Sequence, residues 1–151
     1  MPLTGKWLWP SGEEADQDST AKLFSEPNCE IYVGTDSHLI GGVWIFATVI
    51  AIHNPGHGGR FIFSREKIEK NNIMHLGQRL SEEAMRSLVV ASEIKQEFGR
   101  DPEVHLDLSS GKHKSSKFTK QLTSLISSSG FKVQIKPSAW VSSSIADRSA
   151  R

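Results

Sequence analysis

The stretch Val43 to His53, VWIFATVIAIH, carries apolar side chains at both odd and even positions. A strand with that pattern buries both of its faces, so it belongs inside a sheet covered by other layers on each side. Its neighbours fit the same sheet. Upstream, Ile31, Val33 and Thr35 alternate with Tyr32, Gly34 and Asp36 in a run from Glu30 to Thr35, and Ile40-Gly41-Gly42 reads as the turn between the two. Downstream, Asn54 to Gly59 is dense in turn residues and lacks the pattern of a phosphate-cradling loop, so a hairpin into Arg60 to Arg65, RFIFSR, follows. Three antiparallel strands in succession are predicted.

Helical spacing takes over from about His75 to Phe98, with Gly99 as the terminator and Pro102 as the stop. Glu103 to Ser109 alternates as a fourth strand and ends at Ser110-Gly111. Ser115 or Ser116 caps a second helix with Phe118, Leu122, Leu125 and Ile126 on one side, closed by Gly130. Phe131 to Lys136 is a fifth strand, and Pro137-Ser138 opens a last helix from Ala139 to about Arg151, on which Trp140, Ser144, Asp147 and Arg151 share a face. The order β-β-β-α-β-α-β-α predicts an α/β domain, a mixed five-stranded sheet with helices on both faces. Residues 1–28, with Trp7 and Trp9 beside a polar, turn-prone run, read as an extension, poorly ordered or docked on a domain spanning 29–151.

Two acids stand out physically. Asp36 lies at the end of a half-apolar strand, where a carboxylate is costly unless paired, hydrogen-bonded or bound to a cation. Alone it reads as a cap for the turn that follows. Gly34 leaves room for something to approach the backbone beside it. Glu83 is sharper: at 100° per residue it falls within the stripe of Leu76, Leu80, Val90, Ala91, Ile94 and Phe98, whereas Glu82 points to solvent. A glutamate on the core-facing side of a helix needs a reason.

Composition narrows the setting. A chain of 151 residues with 37% hydrophobic content can bury a real core, and its longest apolar run is far short of a membrane span. No secretory leader is evident at the start, and Cys29, the single cysteine, reads as a buried structural thiol, which together predict a cytoplasmic protein without a membrane partner. Eighteen Lys and Arg face 17 Asp and Glu; four acids engaged with cations would leave 13, an excess of five positive charges compatible with an anionic substrate.

The motifs IYVGTDSH, RLSEEAMRSL, VHLDLSSGKHKSSK and IKPSAWVSSSIAD, in this order, resemble the ribonuclease H-like superfamily and, within it, the small bacterial YkuK-type subfamily of predicted nucleases. The resemblance covers about residues 29 to 151 and implies a four-acid catalytic and metal-binding set, Asp36, Glu83, Asp107 and Asp147. It implies hydrolysis of phosphodiester bonds in RNA, DNA, hybrid or branched DNA. The physical chemistry agrees: four converging carboxylates repel unless a cation neutralises them, and Mg²⁺ or Mn²⁺ prefers such oxygen ligands. Two such ions about 3.5–4 Å apart clamp the attacking and leaving oxygens of an in-line displacement by water. In that scheme Asp36 bridges the ions, Glu83 and Asp107 hold one, and Asp147 the other. Lys112, His113, Lys114 and Lys117 are candidates for phosphate contact, although each alone is a solvated loop charge. His38 and His105 are expected behind the ligands or in the core.

The chain departs from the proofreading-exonuclease branch: no acid stands two residues after Asp36, and serines occupy positions 142 and 143. It also carries no separate basic arm for gripping a duplex. The competing function is a non-catalytic nucleic-acid or metal-binding module on the same fold, which a cleavage assay separates from a nuclease. A sugar-kinase-like ATPase would need two lobes, more than 151 residues supply. A purely structural role gives no reason for Glu83.

Overall fold

The structure, a computed structural model, describes residues 3–56, 58–69, 75–109 and 116–150. One mixed sheet of five strands has the order β3-β2-β1-β4-β5. Strands β1 (Glu30–Ile40), β2 (Val43–Asn54) and β3 (Gly58–Glu69) are antiparallel neighbours. Strand β4 (Glu103–His105) runs parallel to β1, and β5 (Val133–Gln134) parallel to β4. The fold class is the one predicted. The first three strands are longer than their apolar cores suggest, because the hairpins keep pairing into polar residues. The fourth and fifth are shorter, although Leu106 N–H still bonds Gln134 O at 2.9 Å and Lys136 N–H bonds Leu108 O at 2.9 Å.

Alternation along β1 sends its side chains to two different layers. Ile31 and Val33 join Leu80, Ala84, Ala91 and Ile94 of helix α2 (Leu76–Phe98) in the larger core. Thr35 continues that face, its hydroxyl 2.7 Å from Ser87 Oγ. On the opposite face Tyr32 packs with Val49, Ala51, Phe63, Val141 and Ala146. Both faces of β2 are therefore covered, as its sequence requires. Helix α2 ends at Gly99 in the left-handed conformation (φ 65°), whose N–H bonds Lys95 O. Helix α3 (Ser116–Ser128) packs beside α2, close enough that Gly77 has no room for a side chain against Phe118.

The first 28 residues hold an element that their polar composition hides. Asp16 caps helix α1 (Gln17–Ser25) by accepting from Ser19 N–H, and Leu23 and Phe24 bury its apolar side in the larger core. Arg100 donates to the carbonyls of Phe24, Glu26 and Cys29, satisfying backbone acceptors at and just beyond the helix end. Trp7 is buried and Trp9 packs on the same core. Leu8 exchanges two backbone hydrogen bonds with Phe63 on the outer side of β3.

After Pro137 the chain does not form a regular α-helix. Residues Val141–Ala146 make a π-helical turn, and a short α-helical turn, α4 (Asp147–Ser149), follows. The wider turn changes the helix phase, so the expected shared face is lost: Ser144 is exposed while Asp147 turns toward β1. Arg151 lies outside the described residues. The segment lies on β1 where Gly34 admits it, since a Cβ at Gly34 would stand 2.6 Å from Ser142 N. Gly34→Ala must push the backbone of that segment away. We expect a loss of roughly 1–3 kcal/mol, as for overpacking a core; an unchanged denaturation midpoint would refute the close approach.

Candidate metal centre

Strands β1 and β4 pair from Tyr32↔Glu103 to Gly34↔His105. Two residues beyond the last pair stand Asp36, within β1, and Asp107, just past the end of β4. Asp36 is 7% exposed, with its strand still paired to β2 through Ala47, so it lies within β1 rather than at its end. Residues 36 and 38 share a face of that strand. His38 Nε2 lies 3.3 Å from Asp36 Oδ2 and 2.7 Å from Asp147 Oδ1. The three side chains each offer one donor atom, and those atoms lie within 4.8 Å of one another.

The other two predicted acids are near but not in this triad. Asp107 Oδ1 accepts from Ser143 Oγ at 3.0 Å and lies 3.1 Å from Lys136 Nζ. Glu83 projects from α2 onto the opposite face of β1, 4% exposed, where Ser37 Oγ donates to it at 2.5 Å. Arg79, one turn earlier, has its Nε 4.0 Å from Glu83 Oε2, and among the described residues that buried nitrogen makes no hydrogen bond. Glu82 is far more exposed and pairs with Arg86 on the surface, so the helix phase read from the sequence distinguishes the neighbours correctly.

Charge crowding is visible in the acidities. Burial above all pushes the Asp36 carboxyl up to about 7, reinforced by the charge of Asp107 and a hydrogen bond with Asp147; the Ser37 N–H and His38 pull the other way. Burial again leads for Glu83, pushed up to about 8, with Asp36 and Asp107 adding to it against the Ser37 hydroxyl and Arg79. Buried acids that resist ionisation on their own are what a bound cation would relieve. Two carboxylate oxygens and an imidazole nitrogen within one coordination span fit a hard or borderline divalent ion. The residues present therefore fit a metal.

A family model described as ribonuclease H-like matches residues 18–151. The chain belongs to the ribonuclease H-like family. No curated protein matches it. Within this ribonuclease H-like chain, His105 is a core residue: 1% exposed, its Nδ1 accepting from Val141 N–H at 3.3 Å and its Nε2 3.1 Å from Glu103. Its ring packs against both Tyr32 and Trp140, which also contact each other, and burial holds its pKa below the usual imidazole value. Lys112, His113 and Lys114 lie outside the described residues. Lys117 is exposed at the start of α3, its Nζ 5.1 Å from the Phe118 ring centre. The sequence reading expected His38 behind the ligands or in the core; in the structure its Nε2 lies between the carboxylates of Asp36 and Asp147. Strand alternation, which sets residue 38 on the same face as Asp36, was the signal for it. Lys136, Ser143 and Ser37 had no comparable signal, because each acts through a partner distant in sequence.

No helix among the described residues is long and apolar enough to cross a membrane.

Proposed function

We infer that this protein is a metal-dependent nuclease that hydrolyses phosphodiester bonds of RNA or DNA. The observation that carries the reading is the meeting of Asp36, His38 and Asp147, with Asp107 and Glu83 close enough to shift the same titrations. In a fold of this family, that constellation suits phosphoryl transfer to water better than any Ser or Cys arrangement present. Bound Mg²⁺ or Mn²⁺ would supply Lewis-acid activation of the phosphoryl group and of the attacking water. Asp36, His38 and Asp147 would hold the ion. Asp107 completes the acidic wall, and the Ser143 hydroxyl fixes its orientation. Glu83, behind Asp36, offsets the charge of Arg79 at the rim. Lys112, His113, Lys114 and Lys117 are the basic residues we assign to contact with the phosphate backbone.

The test has two parts. Millimolar Mn²⁺ should stabilise the fold by roughly 2.7 kcal/mol once it exceeds its dissociation constant a hundredfold. For a chain of this size, that raises Tm by about 5–10 °C. Cleavage should appear on a panel of single-stranded, duplex, hybrid and branched substrates and vanish with EDTA. Binding of the metal without cleavage of any substrate would leave a nucleic-acid-binding module. No thermal shift at all would remove the metal site.

A further inference from the structure

The two-ion scheme assigns one ion to Glu83 and Asp107 and the other to Asp147, with Asp36 between them. In the structure these halves are not equivalent. The half with Asp36 and Asp147 contains a third donor, His38, within coordination distance of both. In the other half, each acid already has a basic side chain beside it. Lys136 Nζ lies 3.1 Å from Asp107 Oδ1, and Arg79 Nε lies 4.0 Å from Glu83 Oε2.

The lysine is placed by the backbone rather than by chance. Lys136 N–H bonds Leu108 O at 2.9 Å, which fixes residue 136 alongside the segment that carries Asp107. From there its side chain reaches the carboxylate while remaining half-exposed at 45%. Ser143 Oγ, 3.0 Å from the same Oδ1, holds that oxygen in its orientation toward the ammonium. Glu83 has a matching arrangement, with the Ser37 hydroxyl on the oxygen nearest Arg79. A divalent ion entering beside Asp107 would have to compete with the Lys136 ammonium for the same carboxylate oxygen, and two positive charges that close repel.

Resting on the nuclease reading above, we propose that Lys136 stands in for the second metal ion, so that the site takes a single divalent cation on Asp36, His38 and Asp147. Lysine is suited to this position. Its ammonium is a compact point charge with three donors, able to hold Asp107 and still face a phosphate oxygen from its exposed side. The centre would then combine one exchangeable metal with one covalently attached positive charge.

Bound Mn²⁺ counted by electron paramagnetic resonance in a titration of the intact protein tests this without reference to cleavage. The wild type should saturate at one ion per chain, and Lys136→Arg, which keeps the charge, should do the same. Lys136→Met should accept a second, weaker ion and show the spectral broadening of two coupled Mn²⁺ centres. Two ions in the wild type, or a Lys136→Met protein that still stops at one, would overturn the proposal while leaving the nuclease reading intact. No bound Mn²⁺ in any variant would remove both.

Discussion

Asp36→Asn is expected to abolish cleavage, with a fall of at least about a thousandfold, and to weaken Mn²⁺ binding enough that the thermal shift disappears. Asp36 meets several groups of the site at once: His38 at 3.3 Å, a hydrogen bond with Asp147, and the fields of Asp107 and Glu83. Loss of a charged ligand takes away both affinity for the cation and the orientation of His38, and effects on phosphoryl-transfer centres of that kind reach several kcal/mol of barrier. The same change should not harm the metal-free fold. Asparagine fits the space and removes a buried charge repelled by its neighbours. A protein that unfolds on Asp36→Asn, or one that still cuts at near wild-type rate, would show that Asp36 serves the strand rather than the site.

The second large effect is a stability that falls as pH rises in the absence of metal. The Asp36 and Glu83 carboxyls titrate at about 7 and about 8 in the fold, against ordinary values of 3.8 and 4.5. Below the ordinary values both groups are protonated whether the chain is folded or not, and nothing is lost. Between those values and the folded ones, only the unfolded chain has released the protons, so each pH unit costs the fold about 1.4 kcal/mol per group. Unfolding experiments with EDTA should therefore show a loss of several kcal/mol between pH 5 and pH 8, levelling off above pH 8. Saturating Mn²⁺ should flatten the slope, since the cation favours the ionised acids. Glu83→Gln should flatten part of the slope without metal and raise metal-free stability at pH 8. It should also weaken Mn²⁺ binding about tenfold, because Arg79 loses its counter-charge. Glu82→Gln, on the surface with Arg86, should move stability by no more than about 0.5 kcal/mol. Reversed results for the two glutamates would mean that the wrong face of α2 meets the sheet.

Much of this was legible because it depends on period and spacing. The all-apolar β2 demanded layers on both faces, and it has them: Ile50 and Ile52 face the core shared with helix α2, while Val49 and Ala51 face the one shared with Val141 and Ala146. Helix phase separated Glu83 from Glu82, and Gly34 marked a close approach that turned out to be the Ser142 backbone. What stayed hidden depends on context. Helix α1 is built from polar residues whose stability comes from Leu23 and Phe24 reaching a core made by the rest of the chain. The π-helical turn before Asp147 follows from packing against β1, not from the sequence VSSSIA itself, and it broke the assumption of a constant 3.6-residue period. Lys136 looked like the end of an alternating strand; only its bond to Leu108 brings it to Asp107.

The Leu8 bridge to Phe63 has a consequence for self-association. Among the described residues no strand lies beyond β3, so its outer side is a sheet edge, and Leu8 satisfies the backbone there at a single point. An open edge of this length is a template on which another copy could lay a strand. Past Phe63, however, β3 continues as Arg65, Glu66 and Lys67, all exposed and of alternating sign. A strand added there would have to strip water from three charges in succession and match each with its opposite. The chain thus caps one point of this edge with its own first residues and guards the stretch beyond it with charge, which favours a sheet that ends where it does even in a concentrated solution.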